Sequence, residues 1–279
     1  GLFLQLLYKA EDFLSTLCNI KSGKMTKSLL SLATLICIFC VNVYSVSLPY
    51  DRKNPVIYIN DQLPDNYGSE CALALASNGS INLVGNICSY PIDHWMTDSQ
   101  YTAIKKQYIH HHRLCHRKAL KSGFKNLPGP VLGVFERHKK PVSGKISDTK
   151  AIGSAGTDLI IREAHKCSPE VPLVIVTGGN LCTVADAFLQ DPSIADKVII
   201  AARLYKKQDL QITYNVQSSG WSLSIVLKKL KVVCFPGSNG MTPYITRSEV
   251  LELPDTPLKD YMLTKQHWQY GNPMDSDKS

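Results

Sequence analysis

Val56-Ile57-Tyr58-Ile59-Asn60-Asp61-Gln62-Leu63-Pro64-Asp65-Asn66-Tyr67-Gly68-Ser69-Glu70 is the stretch that decides the fold. Val56 to Ile59 is short, apolar and rich in β-branched residues, as in a strand covered on both faces. Acids, Pro64 and Gly68 then interrupt it, and an apolar helical pattern runs from Cys71 to Ser77 with Asp65-Asn66 as its start signal. The same alternation recurs along the chain. Further strands are expected at Ile81–Val84, Val131–Val134, Leu173–Val176, Val198–Ala201 and Val232–Phe235. Helices are expected at Asp98–Ser122 with Gly123 as its stop, and at Asp158–Cys167 with Thr157 as N-cap. Three more are expected at Val184–Leu189, Ser193–Lys197 and Trp221–Leu230. Strands alternating with helices predict an α/β fold: a mostly parallel open sheet sandwiched by helices in three α-β-α layers.

Such a sheet binds ligands just beyond the carboxyl ends of its strands. Two chemically capable groups fall there. Asp61, Asp65 and Glu70, with the Asn66 amide, supply hard oxygen donors that suit calcium or magnesium rather than zinc. On spacing alone these acids fit a charged helix start better than a ligand set. Val176-Thr177-Gly178-Gly179-Asn180 follows another strand, and its two glycines allow a ligand close to the backbone. A plain strand-to-helix turn is the other reading. Asn180 and His94 are further candidate substrate contacts by position, and a purely structural His94 is an equal alternative. His110, His111, His112 and His116 share a stretch with Arg113, Arg117 and Lys118, and no Glu completes a zinc helix there. That stretch reads as a solvated basic helix, and residues 105–125 as a surface for anionic partners at most.

Several segments in order resemble the inosine–uridine-preferring nucleoside hydrolase family. They are Pro55 to Asp61 with Asp65 four residues on, Ala72 to Ser77, Ile81 to Gly85, and Pro172 to Gly179. Ala185-Asp186-Ala187, Asp191 to Asp196 and Tyr214-Asn215-Val216 continue the match, which spans about residues 54–236. The resemblance implies a mostly parallel α/β sandwich and a metal-assisted attack of water on a ribose anomeric carbon. It implies Asp61 as base and ligand, and Asp65, Asn66 and the Thr177 carbonyl as ligands of a calcium ion. It also implies Asn215 as a holder of the sugar hydroxyls. The family motif Asp-x-Asp-x-x-x-Asp-Asp is incomplete: Ile59 stands for its first acid and Asn66 for its last. Thr213 stands where an acid precedes the sugar-binding Asn, Ser219-Gly220 where Asp-Pro follows it, and only Asp275 or Asp277 could serve as a late acid. Two readings follow. One is a nucleoside hydrolase acting on a small ribosyl substrate. The other is a binding protein that keeps the fold without the full metal site.

Met25, Lys27 and the 15-residue apolar run Leu29–Val43, ending in Val43-Tyr44-Ser45, read as a secretory signal peptide. Residues 1–24 are then an upstream leader, 25–45 the signal, and 46–279 one domain of a secreted protein whose polar tail, Gly271–Ser279, is frayed or cut short. No membrane segment is expected after cleavage, and homo-oligomerisation stays open. The net charge is +8, with four lysines and two acids in residues 1–45, which does not by itself argue for nucleic acid. Cys71, Cys88, Cys115, Cys167, Cys182 and Cys234 permit disulfides, though Cys71, Cys182 and Cys234 sit in apolar patterns and read as buried small residues. Asn78-Gly79-Ser80 is a glycosylation sequon.

Overall fold

The computed structural model describes residues 51, 53–61, 67–90, 97–206, 219–237 and 247–264. These all belong to one compact unit, Pro49–Ser279. The first strand, β1 (Pro55–Asn60), leads into α1 (Gly68–Ser77), then β2 (Asn82–Cys88), α2 (Asp98–Lys121) and β3 (Pro130–Leu132). A long connection precedes α3 (Ala155–Ala164), β4 (Leu173–Thr177), α4 (Cys182–Gln190) and β5 (Val198–Lys206). Then come α5 (Gly220–Lys229), β6 (Lys231–Gly237), α6 (Arg247–Glu252) and α7 (Pro257–Leu263). The six strands form one sheet in the order β3-β2-β1-β4-β5-β6, and every pairing is parallel.

Alternation along the strands divides the core into two layers. Ile57, Ile59, Ile87, Leu173, Ile175 and Ile200 face one way, against Leu159 and Ile160 of α3, Val184 and Phe188 of α4, and Ile225 and Val226 of α5. Val56, Leu83, Val174 and Ala201 face the other way, against Leu73 of α1, Cys115 and Ala119 of α2, Val250 of α6 and Leu258 of α7. With both faces covered, strand residues of either parity must be apolar, which is why the strands read as continuous apolar runs. Among the described residues, no helix is long and apolar enough to cross a membrane.

Several expectations change in detail. The helix expected from Asp98 to Ser122 forms, opened by a capping box between Thr97 and Gln100 and followed by Gly123 at φ +88°. The next helix begins three residues earlier than expected. Ser154, not Thr157, is its N-cap, because the Ser154 hydroxyl accepts from the Thr157 amide while the Thr157 side chain turns inward. The helix expected at Ser193–Lys197 is only a 3₁₀ turn, Pro192–Ile194. Cys71 is exposed on α1 rather than buried, Cys182 is buried, and Cys234 is half-buried.

Candidate active site

The strand order reverses direction between β1 and β4, since the chain builds outward to β3 on one side and to β6 on the other. At such a switch point the connections leave to opposite sides and open a crevice at the carboxyl ends. Asp61 follows β1 directly and is 8% exposed. Thr177 ends β4, paired with Ile59, and Asn180 follows three residues later, fully buried. The structure therefore brings Asp61, Thr177 and Asn180 to the same end of the sheet. Asp65, Asn66, His94 and Asn215 lie outside the described residues. Asn78 caps the far end of α1, about 15 Å along the helix from its start beside the crevice.

The glycines explain how the two loops come so close. The Gly178 amide donates to the Ile59 carbonyl at 2.9 Å and the Ser89 amide donates to the Asn60 carbonyl at 3.1 Å. A Cβ on Gly179 would stand 3.0 Å from the Ser89 carbonyl oxygen and 3.5 Å from the Asp61 nitrogen. One on Gly178 would stand 2.9 Å from Asn60 Oδ1. Larger residues would push the loops apart and widen the gap at Asp61.

Behind the loops lies a polar clasp. The Val134 amide donates to Thr183 Oγ1 at 2.9 Å, Thr183 Oγ1 donates to Ser89 Oγ at 3.1 Å, and Ser89 Oγ donates to the Val134 carbonyl at 2.8 Å. Asn180 Oδ1 accepts from the Cys182 amide at 2.7 Å, opening α4. Among the described residues, Asn180 Nδ2 is buried without a hydrogen-bond partner. A buried amide donor left unmatched in this way is costly, and it marks a place where a ligand acceptor would be favoured. Burial, and then the Asp61 carboxylate, push the Cys88 thiol far above its ordinary range, which keeps it protonated.

Two features went unread in the sequence. Ser89 joins the site because β2 runs to Cys88, four residues beyond the expected end at Val84. The second is a buried hub on Asp186. Its carboxylate accepts from His138 Nε2 at 3.0 Å, the Ile152 and Gly153 amides at 2.7 and 2.9 Å, Thr157 Oγ1 at 2.9 Å and Gln190 Nε2 at 3.0 Å. His138 Nδ1 meets Ser222 Oγ at 3.0 Å, and the His138 and Asp186 side chains are fully buried. With no route to solvent, this Ser-His-Asp array is a structural brace joining the connection after β3 to α3, α4 and α5. Its sequence signal was a lone acid inside the apolar run Val184-Ala185-Asp186-Ala187-Phe188.

Among the described residues, no three His, Cys, Asp or Glu side chains gather to hold a metal ion. Calcium takes six to eight oxygens. The Asp61 carboxylate and the Thr177 carbonyl are too few to hold it without donors from residues 62–66, so the described set alone does not fit the ion.

No protein-family model and no curated sequence matches the chain. Solved structures do match. A plant nucleoside hydrolase aligns at TM-score 0.50 and 16% identity, covering 77% of this chain and 70% of that one. An inosine-guanosine nucleoside hydrolase aligns at TM-score 0.52 and 12% identity, covering 76% of this chain and 71% of that one. With this strand order and layering, the chain has a nucleoside hydrolase-like α/β fold.

Proposed function

We propose that the crevice between β1 and β4 binds a ribonucleoside or related ribosyl compound and hydrolyses its N-glycosidic bond. The observation that carries this reading is the meeting of Asp61, the end of β4 at Thr177 and the unmatched Asn180 amide at the switch point of a nucleoside hydrolase-like fold. In the proposed reaction Asp61 accepts a proton from a water whose oxygen attacks the anomeric carbon. The carbon–nitrogen bond breaks, and the base leaves with the bonding electrons and takes up a proton. Calcium, when bound by Asp61, Asp65, Asn66 and the Thr177 carbonyl, would polarise that water. Low solvent access at Asp61 favours the chemistry, because a carboxylate little exposed to bulk solvent meets a water held by the protein.

The test is release of free ribose from inosine and uridine by residues 46–279. Asp61→Ala is expected to lower kcat/KM by about 10²- to 10⁴-fold, the usual contribution of a positioned base. Turnover that survives Asp61→Ala would remove Asp61 from the mechanism. A second reading, binding without turnover, is favoured by Ile59, which replaces a family acid and packs in the core. It is the correct one if inosine binds and no ribose appears. Secretion and glycan attachment at the exposed Asn78 belong to the same proposal. A mass loss of secreted protein on enzymatic deglycosylation, absent in Asn78→Gln, checks both.

A further inference from the structure

Tyr58 is the third residue before Asp61, on the face of β1 that looks toward α1 and α2. Its ring packs beside that core layer, and the side chain as a whole is half-buried. The hydroxyl reaches the start of α1. A Cβ built on Gly68 would overlap it, and one built on Gly178 would stand 3.4 Å away. The Asn60 amide shares the same gap and donates to Ser69 Oγ at 3.4 Å. Glycine at both 68 and 178 thus leaves a slot between the first turn of α1 and the loop after β4, and the phenol fills it.

A further observation points the group at a ligand. A phenol is protonated at neutral pH and keeps its O–H. The hydroxyl makes no hydrogen bond among the described residues, whereas that of a tyrosine packed against a core ordinarily finds a partner. Asp61, three residues on at the end of the same strand, offers an acceptor. A donor and a carboxylate at one crevice match a sugar hydroxyl, which both accepts and donates.

We propose that the Tyr58 hydroxyl donates a hydrogen bond to one ribose hydroxyl of the compound bound beside Asp61, as a substrate-contacting residue that selects ribosyl ligands. This rests on the ribosyl reading given above. Nothing in the periodicity of β1 signals it, since a tyrosine in a strand covered on both faces reads as ordinary packing.

The test compares wild type with Tyr58→Phe, which keeps the ring and removes only the hydroxyl. The probes are inosine and its 2′-deoxy, 3′-deoxy and 5′-deoxy forms. The quantity is kcat/KM where a probe turns over and 1/Kd where it only binds. Tyr58→Phe is expected to weaken inosine roughly 3- to 10-fold, the range for one neutral hydrogen bond. For one deoxy form, the one lacking the contacted hydroxyl, the two proteins should be equal. A purely structural role would instead weaken all four probes by the same factor, and that result overturns the proposal. Equal values for inosine itself also overturn it while leaving the ribosyl reading intact. If wild type neither binds nor turns over inosine, the ribosyl reading fails, and the proposal falls with it.

Discussion

At the scale of single residues, Ile59 is the most informative. The resemblance expects an acid there, yet Ile59 has no exposed surface and packs with Ile57, Ile87 and Ile175. Restoring the acid would remove a packed side chain and bury an unpaired carboxylate. Ile59→Asp is expected to destabilise the fold by about 4 kcal/mol or more, read by urea unfolding. Unchanged stability would mean that the end of β1 is wetter than its packing indicates. The expected base, Asp61, sits where its neighbours had placed it, directly after an apolar strand. Asn180 was picked out only by following Gly179, and its unmatched amide became visible only once burial was known.

At the scale of elements, the capped helices were legible and the braces between them were not. The Thr97–Gln100 box opens α2 at the residue expected, because capping is a local matter of one hydroxyl and the third amide on. The start of α3 differs from the sequence expectation because Ser154 and Thr157 are both good caps, and what separates them is a distant carboxylate. That carboxylate, Asp186, shows how the elements are joined. Burial alone would raise its pKa, but hydrogen bonds from His138, the Ile152 and Gly153 amides and Thr157 outweigh burial and hold it below the ordinary range. A group depressed in the folded state stabilises fully above its unfolded pKa of about 3.9 and stops doing so as pH falls through the lower folded value. Asp186→Asn, which loses this network, is expected to lower stability at pH 7 by on the order of 3 kcal/mol. The deficit relative to wild type should narrow as pH drops below about 4. Chemical unfolding at several pH values checks this, and a deficit independent of pH would show that the charge on Asp186 does not matter.

At the scale of the whole molecule, the strand order decides where chemistry can occur. Parallel neighbours on both sides of the β1–β4 seam send their connections apart, and the crevice is the space left between them. If residues 62–66 complete a calcium site with Asp61 and the Thr177 carbonyl, binding of the ion would stabilise the folded chain. About 1 mM calcium is accordingly expected to raise the melting temperature of wild type by a few degrees and to leave Asp61→Ala unmoved. Equal shifts in both proteins, or none in either, would remove the metal from the proposal and leave the fold untouched.

The sequence alone determined the layer architecture, the parallel sheet and the position of Asp61. All three follow from local patterns: apolar runs of strand length, helical periodicity between them, and polar residues at strand ends. Only the tertiary structure decided that Ser89 joins the polar clasp, that the Tyr58 hydroxyl lies between Gly68 and Gly178, and that Asp186 gathers five donors from across the chain. Those facts depend on which backbones approach each other across the sheet. Gly68, Gly178 and Gly179 permit that approach, but no pattern along the chain shows what will fill the space they leave.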